Sequence, residues 1–136
     1  MGTRNAGLAV LAAIVVLPLA ASSRTPPALY TADQARSGAQ LYANECSRCH
    51  GARFRAAPSP TGGRVSVGDI FRYAQRHMPM EYASTLTDDQ YVRVMAALLQ
   101  QNGFPSGSSE LTYDGALRST VPFPTGAFRV VRPTAR

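Results

Sequence analysis

The chain has 136 residues, 14 of them basic and 8 acidic, for a formal net charge of +6. All of the basic residues are arginines; such a surface can steer an acidic partner, although arginines that simply keep a domain soluble satisfy the same count. The length suits one domain, and the absence of a recognisable base- or phosphate-reading motif argues against a nucleic-acid partner.

Taken in chain order, the first segment carries Arg4, then an apolar run from Gly7 to Leu19 broken by Pro18, then the small residues Ala20-Ala21-Ser22. That pattern predicts a secretory signal over residues 1–22. The run is shorter than the roughly 18 apolar residues expected of a membrane span, so membrane attachment is expected only if the signal stays uncleaved. Removal leaves a domain over 23–109 and an extension over 110–136 that packs on the domain or on a partner. A domain of that size has a modest core.

Ser23 to Tyr30, with Pro26-Pro27, reads as a loose lead-in. Thr31-Ala32-Asp33-Gln34 has the form of a capping box, and Ala35, Gly38, Ala39, Leu41 and Tyr42 follow at helical spacing. A helix is predicted from Ala32 to Asn44. Gly38 in its middle costs about 1 kcal/mol relative to alanine, which points to a close crossing with another helix, with Tyr42 and Tyr91 packed there.

The end of this helix leads into Cys46-Ser47-Arg48-Cys49-His50, and Cys46 and Cys49 are the only two cysteines. A C-x-x-C-H run reads as a c-type haem attachment site. Two cysteines three positions apart can each form a thioether with a vinyl group at one haem edge, and the adjoining histidine is delivered to the iron as proximal ligand. A thiol redox motif would call for surrounding strands, which the pattern lacks. A zinc site built from Cys46, Cys49, His50 and His77 asks two neighbouring residues to reach one small tetrahedral ion. Export agrees with haem attachment, a modification made outside the bacterial cytoplasm.

A short helix is predicted from Val67 to Arg76, with Ile70, Phe71 and Tyr73 or Ala74 inward. Arg76-His77-Met78-Pro79-Met80 follows, offering His77, Met78 and Met80 as candidates for a sixth iron position. The clearest helix begins at the capping box Thr87-Asp88-Asp89-Gln90, carries Tyr91, Val94, Met95, Leu98 and Leu99 on one apolar face, and stops at Asn102-Gly103 before Pro105. Met95 on that stripe reads as core. In the tail, from Glu110 to Arg136, prolines argue against a helix and apolar residues such as Val121, Phe123, Phe128 and Val130 argue against simple disorder.

From Thr31 to Gly107 the chain resembles the class I c-type cytochromes, in particular small periplasmic ones that serve quinoprotein alcohol dehydrogenases and sulfite dehydrogenases. The resemblance rests on Gly38-x-x-Leu41-Tyr42 leading into Cys46-Ser47-Arg48-Cys49-His50-Gly51, on Met78-Pro79, and on Leu86-Thr87-Asp88-Asp89-Gln90-Tyr91 through to Phe104-Pro105. It implies an all-α domain wrapped around one covalent haem c on Cys46 and Cys49, with His50 and Met78 as axial iron ligands. Met80, two residues on, departs from the pattern. The resemblance also implies a proline carbonyl, from Pro58 or Pro60, on the ring N–H of the proximal histidine, and arginines such as Arg48, Arg53, Arg55 and Arg64 near a propionate or a partner. The absence of tryptophan and the long tail are further departures.

The expected function is a periplasmic electron carrier, not an enzyme, that takes electrons from a dehydrogenase and passes them to an oxidase or another cytochrome. A haem enzyme or gas-binding protein would require a weakly held sixth position.

Overall fold

The computed structural model describes residues 25–59 and 62–125. The expected signal over 1–22, Pro60, and the part of the tail with Phe128, Arg129, Val130 and Arg132 lie outside the described residues. The fold is all-α: α1 (Ala32–Glu45), α2 (Ser47–His50), α3 (Val67–His77), a 3-10 turn (Met80–Tyr82), α4 (Asp88–Gln101) and α5 (Tyr113–Arg118). Among the described residues there is no strand, only the two isolated bridges Ala56 to Thr125 and Ser66 to Pro122.

The three longer helices all start with reciprocal caps. Thr31 accepts from the Gln34 amide at 3.3 Å while the Gln34 side chain accepts from the Thr31 amide at 3.3 Å, and Thr87 and Gln90 repeat this at 3.2 and 2.8 Å. A third box, Ser66 with Asp69, escapes the sequence reading because its second member is aspartate rather than the usual Glu or Gln. Each cap satisfies amide groups that a helix start leaves without partners.

The core is the crossing of α1 over α4. Gly38 lies against the backbone of α4 so closely that a Cβ built on it would stand 1.8 Å from the Arg93 carbonyl oxygen. The predicted close crossing is therefore present, and Tyr42 and Tyr91 are both buried. Met95 is buried in the same core, as its place on the apolar stripe implies. Ala39, by contrast, is exposed on the outer side of α1.

Two expectations are corrected. The lead-in before α1 ends in an anchor: Tyr30 is fully buried, its hydroxyl donates to the Phe104 carbonyl at 2.6 Å, and its own carbonyl accepts from Gly107 at 2.7 Å. The region after Glu110 does contain a helix, α5, because its prolines fall beyond Arg118 and Thr112 supplies a cap to the Gly115 amide. From α5 the chain runs as an extended strap along α3. Gly68 accommodates it, since a Cβ there would meet the Ser119 carbonyl at 2.7 Å. The Val67 and Gly68 amides donate to the Val121 and Ser119 carbonyls at 2.9 and 3.0 Å, and the Phe123 amide donates to Val65 at 2.8 Å. Phe123 is buried. Among the described residues no helix is long and apolar enough to cross a membrane.

Candidate functional site

Helix α1 ends where the cysteine pair begins. Cys46 closes α1, its amide donating to the Tyr42 carbonyl at 2.9 Å, and its own carbonyl accepts from His50 at 3.0 Å to start the single turn of α2. That turn presents Cys46, Cys49 and His50 together. Gly51 leaves it with φ +70°, a left-handed conformation that suits glycine. The Tyr42 hydroxyl holds this exit by donating to the Gly51 carbonyl at 3.0 Å.

All three residues line one cavity of about 1010 Å3, bounded also by Ile70, Ala74, Met78, Leu86, Val94 and Leu98. This is the upper end of the roughly 300–1,000 Å3 range of small-molecule and cofactor sites. The residues that α3 was expected to turn inward divide: Phe71 enters the core, Ile70 and Ala74 line the cavity, and Tyr73 stands at its mouth with 58% of its surface exposed. Met95 is not among the lining residues.

Of the three sixth-position candidates, Met78 caps the C-terminus of α3, half-buried, on the cavity wall. Met80 also borders the cavity but is 79% exposed. His77 lies exposed at the end of α3, against the Tyr73 ring at 4.6 Å and outside the cavity lining. The segment after Met78 is tied back to α4 by Tyr91, whose hydroxyl donates to the Met78 carbonyl at 2.7 Å.

Burial acts on three weak acids of the wall. Burial raises the Cys46 thiol, with the Glu45 carboxylate adding to the effect. Burial raises Tyr42 and Tyr91 as well. Charge is kept to the rim, where exposed Arg48 and Glu81 pair at 3.0 Å. A large, mostly apolar hollow carrying the chain's only cysteine pair fits a flat porphyrin held by thioether bonds. Among the described residues no group of three or more His, Cys, Asp or Glu side chains is gathered to hold a metal ion, so the zinc arrangement gains no support.

Pro58 borders the cavity, and Arg55 does too; its guanidinium is lowered from the ordinary value by desolvation and by neighbouring Arg53. Arg64 is exposed. Phe54 is a wall residue that pattern reading misses: its ring meets His50 edge-on at 5.5 Å and Phe123 of the strap at 6.2 Å. A single aromatic between Arg53 and Arg55 in a loop has no periodicity to mark it. Glu81 is missed for the same reason.

Residues 33–96 match the family model described as cytochrome C oxidase, cbb3-type, subunit III. The matched stretch contains Cys46, Cys49, His50 and Met78 and ends within α4. It supports a c-type cytochrome domain, a kind of domain that carries covalent haem and works in electron transfer. No curated protein and no solved structure matches the chain.

Proposed function

We propose that this chain is an exported monohaem electron carrier in which Cys46 and Cys49 hold haem c, and His50 and Met78 hold its iron. The observation that carries this reading is the cavity: one turn of chain brings both cysteines and the histidine to its wall, and the segment after α3 brings a half-buried methionine to the same space. When bound, the haem supplies a one-electron couple, which histidine and methionine ligation shifts to higher potential.

The protein's own residues do the rest. Ile70, Ala74, Leu86, Val94 and Leu98 give the hollow an apolar wall, and burial raises Tyr42 and Tyr91 above the ordinary phenol value, keeping both neutral. Met78 rather than Met80 suits the role of iron ligand because it is half-buried while Met80 is largely in water. If His50 and Met78 both hold the iron, no position would be left for a substrate, as suits a carrier rather than an oxygen-activating haem protein. Export through the signal at 1–22 to the periplasm, a haem domain over 23–109, and an extension over 110–136 complete the proposal. The partners are a dehydrogenase as donor and an oxidase or another cytochrome as acceptor.

Intact-mass analysis after expression with the haem-attachment machinery tests the covalent part. One haem per chain that survives acid-acetone extraction is expected; a colourless protein would overturn it. Met78→Ala is expected to abolish the sulfur-to-iron charge-transfer band and lower the midpoint potential, with Met80→Ala leaving both nearly intact. The reverse outcome moves the ligand to Met80.

A further inference from the structure

Met78 ends α3, and the eight residues after it contain only one 3-10 turn, Met80–Tyr82. Within them Tyr82 donates to the Pro79 carbonyl at 3.0 Å and Thr85 to the Tyr82 carbonyl at 2.7 Å, and Glu81 pairs with exposed Arg48 at 3.0 Å. Ser84 stands at φ +62°, a conformation uncommon outside glycine. Its hydroxyl reaches back to the Gln75 carbonyl of α3 at 2.9 Å. The Met78 amide closes the last turn of α3 on the Ala74 carbonyl at 2.8 Å, which holds one side of its backbone, and methionine has three rotatable bonds beyond that backbone.

One buried side chain outside the segment bonds to Met78 directly. The Tyr91 hydroxyl donates to the Met78 carbonyl at 2.7 Å. Tyr91 is itself buried, in the first turn of α4, the helix whose backbone is pressed against Gly38 of α1. The position of Met78 is therefore referred to the α1–α4 crossing, the most tightly packed part of the fold.

We infer that Tyr91 is the positioning residue for Met78, holding its backbone at the cavity wall so that the Met78 thioether would be kept where it can hold the iron. The inference rests on the proposed ligation by Met78. Tyr42 is its natural control. It lies at the other side of the same crossing, is equally buried, and donates to the Gly51 carbonyl at 3.0 Å, next to His50 rather than to Met78.

The test uses the full-length haem-loaded protein and its Tyr91→Phe and Tyr42→Phe variants, each lacking a single oxygen. The ferric sulfur-to-iron band is followed with rising temperature beside the far-ultraviolet helical signal, and the midpoint potential is measured. In Tyr91→Phe the band is expected to vanish at a lower temperature than in the parent protein, clearly before the helices melt, and the potential to fall. In Tyr42→Phe the band is expected to persist until the helices melt. If Tyr91→Phe keeps the parent's band and potential, or if both variants lose the band in step with helix melting, Tyr91 serves stability alone and the inference is overturned while Met78 ligation stands. If the parent protein carries haem but shows no sulfur band, the ligation reading fails and this inference with it. Should Tyr91→Phe not fold, Tyr91→His, which keeps a donor and the bulk of a ring, replaces it: a band lost before the helices melt supports the inference, and parent-like behaviour in that variant, despite the moved donor, overturns it.

Discussion

The two sides of α4 meet different demands. Toward α1 the space is filled by the chain itself: Gly38 admits backbone against backbone, and buried Ala35, Met95 and Leu99 complete the core. Toward α3 the same helix contributes Val94 and Leu98 to a hollow of about 1010 Å3 whose mouth leaves Tyr73, Met80 and Tyr82 in water, 58%, 79% and 66% exposed. Interiors are normally packed to crystal-like density, so apolar walls around a space of this size belong to a fold that a prosthetic group completes. The comparison teaches that the helical crossing is specified by side chains alone, whereas the cavity end draws its stability from what binds there and from the strap that braces its loop.

The filled side is broken most severely at Gly38. In Gly38→Ala the new methyl meets backbone, which has no rotamer to escape by, and the loss is expected to exceed the usual 1–3 kcal/mol of overpacking. Chemical denaturation of the haem-loaded protein measures it; a loss below about 1 kcal/mol would mean that α1 and α4 slide apart cheaply.

Next in size is the brace of the open side. Phe123→Ala removes a buried ring that packs on Phe54 and Phe104 at 6.2 and 6.3 Å, and is expected to cost about 3–5 kcal/mol. Because Phe54 touches His50, hydrogen exchange in the 51–59 segment should rise more than in α1. Uniform protection changes would show instead that the strap acts on the whole domain.

A smaller effect separates propensity from packing. Thr87→Ala removes one half of the α4 capping box and is expected to cost about 1 kcal/mol, measured as a lowered denaturation midpoint with unchanged haem spectrum. A shifted spectrum would mean that the start of α4 frays into the distal segment.

The smallest effect is at Asp69, which borders the cavity at the start of α3. Its carboxyl is held below the ordinary carboxylate range chiefly by hydrogen bonds from the Ser66 backbone and side chain, then by Arg72. A depressed folded pKa contributes stability above the unfolded value, about 3.9, and loses it as pH falls through the folded one. Asp69→Asn is therefore expected to cost a fraction of a kcal/mol at neutral pH, since the side chain is half in solvent, with the difference from the parent closing below pH 4. A gap that widens in acid would contradict that sign.

Much of this molecule was written locally. The Thr31 and Thr87 boxes, the apolar stripe of α4 and the mid-helix Gly38 are short-range signals, and each produced the element it predicted because caps and helical periodicity act within a few residues. The adjacency of Cys46, Cys49 and His50 is likewise a property of sequence, since one turn of helix gathers residues so spaced. Tertiary structure alone decided the rest. That Met78 is half-buried at the cavity wall while Met80 stands in water, and that Tyr91 reaches the Met78 carbonyl across thirteen residues, follow from how α3 ends and where α4 lies. The burial of Tyr30, the helix α5 and the seating of Phe123 depend on distant partners: Phe104 for Tyr30, Gln75 and Arg72 for Tyr113 and Leu117 of α5, and Phe54 for Phe123. Contacts of that range leave no period in the chain, because the closing of a long loop is dictated by the surface it lands on and not by the residues within it.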